Sequence, residues 1–409
     1  MRRTTCCVIG GGPAGMVLGL LLARAGVDVT VLEEHGDFLR DFRGDTVHPT
    51  TLSLLDDLGL SEQFAALPQR RVDKVQLPLG PDGEFLTLGD FTLLRTKYNY
   101  IAMVPQWDFL DLLADAGREE PTFTLCMNTE ATEFVREGGR VNGVRYRTSE
   151  GETGEIRATI TVACDGRSSL ARGIPELGLR DFSTPMDVWW FRLPRRPDDV
   201  AGVVSSVRNG MFMFLIDRGD YYQAASIIAK GTDATRRARP IEEFNQSLVE
   251  LLPWLAGRGL VPDWDDVKLL DVKLDRMSKW HVPGLLCIGD AAHAMSPVGG
   301  VGINLAVQDA VASARHLAEP LRHGTVGRAE VAAIQRRRWP TTVLVQSFQR
   351  AVHKNAIESA LAGEIDFSDL AHLPLPLRIA ERMPWARRLP PYLLAYGAMR
   401  ERPPAAALR

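Results

Sequence analysis

The alternation of apolar and polar positions at the start of the chain predicts a strand, a helix and a second strand. Apolar residues fill TTCCVI up to position 9, and the turn GGGPAG follows. The run GMVLGLLLARAG then has the composition of a buried helix that ends at Gly26, and VDVTVLEE is the next apolar strand. A strand, a glycine-rich turn, a helix and a strand in this order indicate a βαβ unit.

Further along, amphipathic stretches predict helices and alternating stretches predict strands. Three long aromatic-rich strands after residue 180 differ in character from the rest, and the chain then returns to a glycine-rich strand-to-helix pattern. The predicted helices cover 51–60, 106–117, EEFNQSLVELL, roughly 303–318 and 329–358. The predicted strands cover parts of 72–104, FTLCM, TEATEFVREG, RVNGVRYRTS, EIRATITVACDG, MDVWWFRL, GMFMFLI, YYQAASIIAK and 267–276. EGGR is predicted as a hairpin turn between two of these strands.

This order predicts an α/β protein in which a Rossmann-like, βαβ-containing domain is interrupted by a mostly antiparallel β-sheet insert and followed by C-terminal helices. The predicted nucleotide-binding domain is discontinuous and comprises 1–72, 100–180 and 277–365. The predicted substrate-binding sheet domain comprises 73–99 and 181–276, and 366–409 is a C-terminal helical tail.

Composition narrows the class of protein. The chain of 409 residues is 45% hydrophobic and 24% charged, as ordinary globular proteins are, and its 48 basic and 51 acidic residues give no electrostatic reason to bind nucleic acid or a membrane. The N-terminus has no signal-peptide pattern and no apolar stretch is long enough to span a membrane, so we expect a cytoplasmic protein. The five cysteines lie in strand-like runs without metal-site spacing, which favours buried, reduced thiols.

The first chemical motif is G-x-G-x-x-G, formed by Gly10, Gly12 and Gly15 between the first strand and its helix. Such glycines allow a tight turn and a close approach of a pyrophosphate to free N–H groups at the helix N-terminus. Glu33 ends the next strand 21 residues after Gly12, where an acid binds a ribose hydroxyl. An acid at this place favours NAD or FAD over NADP.

Two later motifs repeat the pattern of a glycine and an aspartate after an apolar strand. They are CDGRSS, with Asp165, and GDAAHAMSPVGGVGIN, with Asp290. Either aspartate alone would be interpreted as a turn or cap residue. Together with the first motif, they predict one dinucleotide that is contacted from both ends of the chain. The glycines around position 300 indicate that a large group approaches the backbone there.

The three motifs, in this order, resemble those of the FAD-dependent aromatic hydroxylases, which are single-component flavin monooxygenases with the p-hydroxybenzoate hydroxylase fold. The resemblance implies an FAD-binding domain of the glutathione-reductase type and a role for residues at matching positions. These are Gly10, Gly12, Ala14 and Gly15 at the pyrophosphate; Glu33 at the adenosine ribose; Arg43 at the flavin; Gln106 at the ribityl chain and phosphates; Ala131 at adenine; Asp165 between FAD and a visiting nicotinamide; Asp290 at the ribityl hydroxyls; Pro297, Gly299, Gly300 and Gly302 around the isoalloxazine; and the backbone from Gly300 to Asn304 at its pyrimidine edge.

The resemblance also implies the reaction, which is hydroxylation by O2 through a C4a-hydroperoxyflavin with NADH or NADPH as a transiently docked electron donor. The insert carries Trp189, Trp190, Phe191, Phe212, Phe214, Tyr221 and Tyr222, which favour a large aromatic or polyketide-like substrate over a small charged acid. Strand alternation places about half of these rings on each face of the sheet. His48 and His293 are interpreted as structural, and no catalytic side chain is predicted.

Three alternatives stay open at this point. A halogenase on the same fold carries a motif resembling W-x-W-x-I-P, which Trp189, Phe191, Leu193 and Pro194 match in part. A reductase of the geranylgeranyl-reductase type and a non-enzymatic, GDI-like binding protein are the others. The sequence leaves open the substrate, the choice between NADH and NADPH, and the oligomeric state, a homodimer included.

Overall fold

A computed structural model describes residues 2–39, 46–79, 84–200, 202–208, 211–363, 389–397 and 399–409. The helices within these residues are α1 (Pro13–Arg24), α2 (Pro49–Asp57), α3 (Ser61–Ala65), α4 (Gln106–Arg118), α5 (Asp233–Arg237), α6 (Ile241–Leu251), α7 (Gly302–Arg322), α8 (Arg328–Val352), α9 (Glu358–Leu361) and α10 (Leu389–Tyr396). The strands are β1 (Arg2–Ile9), β2 (Val29–Leu32), β3 (Thr46–Val47), β4 (Arg70–Val72), β5 (Lys74–Leu79), β6 (Glu84–Asp90), β7 (Ile101–Met103), β8 (Phe123–Cys126), β9 (Thr129–Glu137), β10 (Arg140–Thr148), β11 (Thr153–Ala163), β12 (Leu179–Asp181), β13 (Met186–Pro194), β14 (Val203–Arg208), β15 (Met211–Asp217), β16 (Tyr221–Ala229), β17 (Lys268–Leu270), β18 (Asp275–Met277), β19 (His281–Val282) and β20 (Leu285–Cys287).

The central sheet has the strand order β19-β20-β11-β1-β2-β8, and β1 lies between β2 and β11 with parallel pairing on both sides. The predicted βαβ unit is therefore confirmed. A strand that is buried on both faces is apolar along its length, which explains why TTCCVI has no polar alternation. Helix α1 covers this sheet with nearly every side chain buried and contacts α7.

The predicted hairpin around EGGR is also confirmed. Strands β9 and β10 pair antiparallel, and Gly138 and Gly139 between them have φ of 57° and 75°. This left-handed conformation costs glycine nothing sterically and costs other residues about 1 kcal/mol each. Strand β10 then pairs with β11, so that the hairpin extends the central sheet.

The insert forms an antiparallel sheet with the order β14-β15-β16-β13-β17. Helix α6 packs on one face, where its Phe244 and Leu248 contact Trp189, Phe191 and Tyr222. Trp190, Phe212 and Phe214 lie on the other face and are only half-buried. The structure therefore places Trp189, Phe191 and Tyr222 in the core under α6 and the other three rings on the opposite face of the sheet.

The two long C-terminal helices are confirmed, although their ends differ from the prediction. Helix α7 continues to Arg322, and α8 ends at Val352 in a π-helical turn that leads into α9. All five cysteines are free thiols, and four of them are buried, as predicted. In the part of the chain that the structure describes, no helix is both long and apolar enough to cross a membrane. The predicted domain boundaries stay a prediction.

Candidate cofactor site

The predicted site residues follow the carboxyl ends of four neighbouring parallel strands. Cys287, Ala163, Ile9 and Leu32 are aligned across β20, β11, β1 and β2. The next residues along each strand lead to Asp290, Asp165, Gly10–Gly12 and Glu33, respectively. With about 4.8 Å between strands, the row from Asp290 to Glu33 crosses roughly 14 Å. Ligands of α/β sheets bind at this edge.

The three glycines of the first motif have different surroundings. A Cβ atom on Gly10 would lie 2.6 Å from the carbonyl oxygen of Cys164, and one on Gly15 would lie 1.9 Å from the carbonyl oxygen of Gly10. A Cβ atom on Gly12 would meet no atom within 4 Å. Gly10 and Gly15 are therefore required by the packing of the chain. Gly12, in contrast, borders open space at the edge of the sheet.

Helix α1 begins at this open space. Pro13 is its first residue, Gly12 precedes it, and no side chain caps it. The N–H groups of Ala14 and Gly15 come next, in the first turn, where backbone donors have no partner within the helix. Together with the positive end of the helix dipole they form a site suited to a pyrophosphate.

Glu33 is buried and held by hydrogen bonds beside this turn. One carboxylate oxygen accepts from the N–H of Gly11 at 3.0 Å, and the other accepts from the N–H of His35 at 3.0 Å and lies 2.9 Å from its Nδ1. The N–H of Thr129 donates to the carbonyl of Glu33, which brings the start of β9 and, two residues later, the buried Ala131 to this end of the row. The roles predicted for Glu33 and Ala131 toward adenosine stay predictions.

Asp165 has one satisfied and one unsatisfied carboxylate oxygen. Its Oδ2 accepts from the N–H of Leu170 at 3.0 Å, whereas its Oδ1 is buried without a hydrogen-bond partner among the described residues. Burial raises the pKa of this carboxyl group. The neighbouring Gly166 has a φ of 73° and open space where a Cβ would lie. A buried acceptor without a donor is costly, so a ligand hydroxyl or N–H group here would stabilise it.

Asp290 lies at the other end of the row. Its side chain is 37% exposed, with Nε of Arg167 at 3.9 Å, and Arg172 donates to its backbone carbonyl at 2.7 Å. Desolvation raises the pKa of the Asp290 carboxyl, and Arg167 opposes this effect. A partly exposed carboxylate can accept hydrogen bonds from ligand hydroxyls.

The loop before α7 turns sharply at Gly299 and Gly300, whose φ angles are 84° and 59°. Thr46 Oγ1 donates to the carbonyl of Gly300 at 2.7 Å, and Nε2 of His48 lies 2.8 Å from the same oxygen. His48 is fully buried, and burial lowers its pKa to about 4, so the ring is neutral and serves to fix the loop. The structural interpretation of His48 agrees with this geometry.

Helix α7 starts at Gly302, which has no atom within 4 Å of a Cβ position, and no side chain caps this helix. Asn304 in its first turn has a contact that the sequence did not indicate. Its side-chain amide donates to the carbonyls of Leu394 at 2.9 Å and Ala395 at 3.0 Å, at the end of α10. The prediction for Asn304 concerns its backbone, and that prediction stays open.

The remaining predicted residues have the following positions. Gln106 is the half-buried first residue of α4, and Pro297 is half-buried at the start of the glycine loop. Arg43 lies outside the described residues. His293 is buried, and its Nε2 lies 2.6 Å from Asp309 Oδ2, which agrees with the structural interpretation of this residue.

The residues present fit a dinucleotide with a flavin ring. Gly12, Gly166 and Gly302 each leave open space where a Cβ would lie, α1 and α7 begin next to Gly12 and at Gly302 without side-chain caps, and Asp165 has an unpaired acceptor. The family model described as "FAD binding domain" matches residues 3–347. The chain belongs to the FAD-dependent aromatic hydroxylases.

The chain is similar in sequence to a curated protein and in fold to solved structures. The chain is 32% identical over 401 residues to 6-methylpretetramide 4-monooxygenase of Streptomyces rimosus, with 97% of this chain and 93% of the relative covered. The crystal structure of pqsL, a probable FAD-dependent monooxygenase from Pseudomonas aeruginosa, has a TM-score of 0.73 at 20% identity and covers 89% of this chain and 99% of that one. The myxobacterial chondrochloren halogenase CndH has a TM-score of 0.75 at 19% identity, with 100% and 99% covered.

The two structural likenesses show the fold alone, and the sequence relationship supports a monooxygenase. The protein is therefore an FAD-dependent monooxygenase. The halogenase alternative rests on the shared fold and on the partial motif at Trp189, and the monooxygenase assignment is better supported.

Proposed function

We propose that the protein hydroxylates a multi-ring, polyketide-type aromatic compound with O2 and NADH or NADPH, and that FAD lies along the row from Asp290 to Glu33. The observation that supports this proposal is the order of Asp290, Asp165, Gly12 and Glu33 on adjacent strands. Along this row, Asp290 would bind the ribityl chain, Gly12 the pyrophosphate and Glu33 the adenosine ribose, which is the order of these groups in FAD. Asp165 lies between Asp290 and Gly12. When bound, FAD supplies the redox and oxygen chemistry, and the protein supplies binding, orientation and exclusion of water.

The uncapped start of α7 has a role in this arrangement. Its N–H groups from Gly302 onward carry the positive end of a helix of 21 residues. A positive helix end beside the pyrimidine edge of the ring would stabilise negative charge there. The open face of Gly302 lets the ring approach this backbone without an intervening side chain.

The substrate class follows from the uncovered face of the insert sheet. Trp190, Phe212 and Phe214 are half-buried on that face, and Phe212 and Phe214 share a cluster with Val298 of the glycine loop. An aromatic wall next to the predicted ring site suits a large, mostly apolar aromatic substrate. The Streptomyces rimosus relative, whose name gives 6-methylpretetramide as the compound acted on, supports this class.

The electron donor is proposed to dock transiently. The sequence has no second G-x-G-x-x-G that could form a separate nicotinamide-binding domain. Rapid mixing of the oxidised holoprotein with NADH and with NADPH measures which one reduces the flavin. Reduction by neither would contradict direct docking and would indicate a separate reductase.

A cytoplasmic location is part of the proposal. It is supported by the five free thiols and by the even balance of 48 basic and 51 acidic residues. Fractionation of the native host with an antibody to the chain tests this location.

Cofactor binding is tested with glycine variants that differ in their surroundings. Gly12→Val should give a folded, colourless protein, because the new side chain occupies only the space assigned to the pyrophosphate. Glu33→Ala should also lose flavin. Gly259→Val is the control, since Gly259 is exposed and also has no atom within 4 Å of its Cβ position. Flavin retained by Gly12→Val as tightly as by the parent would contradict the assignment.

The reaction is tested with 18O2. Labelled product and substrate-accelerated oxidation of NADH or NADPH are expected for a hydroxylase. Unlabelled product would favour the reductase alternative, and a requirement for chloride or bromide would favour the halogenase.

A further inference from the structure

Three polar side chains at the end of α8 are almost completely buried. They are Gln346 and Gln349 within the helix and His353 directly after it. Their spacing of three and four residues places them on one face of the helix. A buried polar side chain is costly unless it forms hydrogen bonds, so the partners of these three residues indicate what the polar face does.

The two glutamines hold the backbone of the segment that leads into the glycine loop. Nε2 of Gln346 donates to the carbonyl of Ala294 at 3.0 Å. The side chain of Gln349 accepts from the N–H of Ser296 at 3.2 Å, and it donates to the carbonyls of Ser296 and Val298 at 2.8 and 2.9 Å. This segment is in neither a helix nor a strand, so the glutamines supply hydrogen bonds that regular structure would otherwise supply.

His353 contacts the side chain of the residue before Pro297. Its Nε2 lies 2.8 Å from Oγ of Ser296, and the same Oγ accepts from the N–H of Val298 at 3.3 Å. The other ring nitrogen, Nδ1, is buried without a hydrogen-bond partner among the described residues. Burial lowers the pKa of His353, so the ring is neutral at pH 7. Within the described part of the chain, Nε2 is therefore the ring atom that joins His353 to the loop.

The turn that begins at His353 also contacts the insert sheet. It is a π-helical turn of five residues, a rare conformation that often occurs at functional sites. Ile357 at its end is buried in one apolar cluster with Met186 and Ile227 of the sheet and with Val298 of the loop. One turn of the chain therefore contacts both the glycine loop and the sheet assigned to the substrate.

We propose that His353 is a positioning residue for the flavin, and that its contact with Ser296 holds the loop 297–300 in the conformation that receives the isoalloxazine ring. This inference rests on the proposed function, which places the ring beside this loop. The loop needs such a contact because Gly299 and Gly300 can adopt many backbone conformations and have no side chains of their own to fix one. His353 acts through Ser296 and takes no part in the oxygen chemistry.

The first test compares His353→Gln with His353→Asn. The side chain of glutamine reaches as far as Nε2 of histidine, whereas that of asparagine reaches only as far as Nδ1. FAD is titrated into each apoprotein, and the visible absorption spectrum of the bound flavin is recorded. His353→Asn should bind FAD about three- to tenfold more weakly, because the loss of one hydrogen bond lowers the population of the binding conformation, and should shift the spectrum. His353→Gln should restore both properties to parent values.

Gln335→Ala is the matched control on the same helix. The side chain of Gln335 also bonds to the backbone of a neighbouring segment, since it donates to the carbonyl of Ser278 at 2.9 Å and accepts from the N–H of Trp280 at 3.1 Å. Neither partner belongs to the glycine loop. This variant should lower the free energy of unfolding and keep the FAD affinity and flavin spectrum of the parent.

Ser296→Ala tests the same contact from the side of the loop, and it replaces His353→Asn if that variant does not fold. It should also weaken FAD binding and shift the flavin spectrum. The double variant Ser296→Ala/His353→Asn should bind FAD as Ser296→Ala does, because both substitutions remove one and the same contact.

The outcomes separate the inference from the proposed function. The inference would be overturned by parent-like FAD binding and spectrum in His353→Asn and Ser296→Ala, by equal losses in His353→Gln and His353→Asn, by an equal loss in Gln335→Ala, or by additive losses in the double variant. Each of these results leaves the proposed function intact. A parent protein that binds no FAD would overturn the proposed function and the inference with it. Weaker binding that His353→Gln restores and Gln335→Ala does not show supports the inference.

Discussion

Nε2 of His293 lies 2.6 Å from Oδ2 of Asp309, and both side chains are almost completely buried. Nε of the fully buried Arg338 contacts the other carboxylate oxygen at 2.8 Å, and the N–H of Gly289 donates to Oδ2 at 3.1 Å. Burial alone would raise the pKa of Asp309, but His293 and Arg338 outweigh it and hold the pKa below its usual range. One carboxylate on α7 thus fixes the glycine before Asp290 and a residue of α8.

Asp309→Asn should lower the free energy of unfolding by about 1–3 kcal/mol, because the buried Arg338 then keeps only Glu401, a carboxylate that it shares with Arg337. Urea denaturation at neutral pH measures the change. Glu319→Gln, on the same helix in an exposed pair with Arg322, is the control and should change stability by less than about 1 kcal/mol. A loss no larger than in the control would contradict a stabilising role for the buried pair.

The same variant has a predicted pH dependence. A carboxyl whose pKa is depressed by folding contributes stability above its unfolded pKa, near 4, and loses that contribution as the pH falls through its folded pKa. The difference between the parent and Asp309→Asn should therefore be largest at neutral pH and should narrow in acid. A difference that stays constant down to pH 3 would argue against an ionised Asp309.

Asp290 should show the opposite pH behaviour. Because desolvation raises its pKa, the ionised form destabilises the folded apoprotein above that pKa, and this penalty disappears as the pH falls and the group is protonated. Asp290→Asn should therefore raise the urea midpoint of the apoprotein at pH 8 and have little effect at low pH. The variant should also bind flavin more weakly. Measurement of both properties on one preparation checks the prediction, and unchanged stability at pH 8 would contradict it.

Asn304→Ala should loosen α10 and leave the rest of the protein folded. The Asn304 amide donates to the carbonyls of Leu394 and Ala395. Its loss removes both bonds at a cost of about 1 kcal/mol, because the carbonyl of Ala395 still accepts from Thr50 and Gln308. Limited proteolysis should then cleave the chain within residues 389–397 faster than in the parent. Ser313→Ala is the control on the same helix, since the buried Ser313 hydroxyl has no partner among the described residues. Equal cleavage rates in the two variants would contradict the predicted anchoring.

Substitutions at Gly15 and Gly302 should distinguish an effect on folding from an effect on cofactor binding. Gly15→Ala should prevent folding, because its Cβ would lie 1.9 Å from the carbonyl oxygen of Gly10. Gly302→Ala should fold with parent-like stability and show an altered flavin spectrum or weaker flavin binding, because its Cβ enters only the space assigned to the ring. Circular dichroism and flavin titration check the pair. A Gly302→Ala variant with parent-like flavin affinity and spectrum would contradict the placement of the ring.

The order of helices and strands could be predicted because each element carries a local period or a local turn signal. The βαβ unit at Gly10 and the hairpin at Gly138–Gly139 are of this kind. Which face of β13 is covered could not be predicted. Alternation separates Trp189 from Trp190, but only the position of α6 decides which of them is in the core.

Polar contacts between residues far apart in the chain could not be predicted from the sequence for a related reason. Nothing local to Asn304 indicates that its amide meets a helix 90 residues later, and nothing in GDAAH indicates that Asp309 binds His293. A polar residue that is buried in an otherwise apolar helix, as Asn304, Gln308 and Asp309 are in α7, was the available signal. It indicates that a partner exists without identifying it.

The position of β1 has a consequence for synthesis of the protein. Its neighbour β11 and the next strand, β20, come about 150 and 280 residues later in the chain, so the sheet edge that carries Gly12 and Asp290 is complete only after residue 287 has left the ribosome. At about 5–20 residues per second the whole edge takes roughly 15 s to a minute to be made, and one edge of TTCCVI stays unpaired for about the first 8 to 33 s, until β11 is available. FAD cannot assist folding in that interval because its site is not yet present. Expression at a lower temperature, or with chaperones that bind the unpaired first strand, should raise the yield of holoprotein more than added riboflavin does.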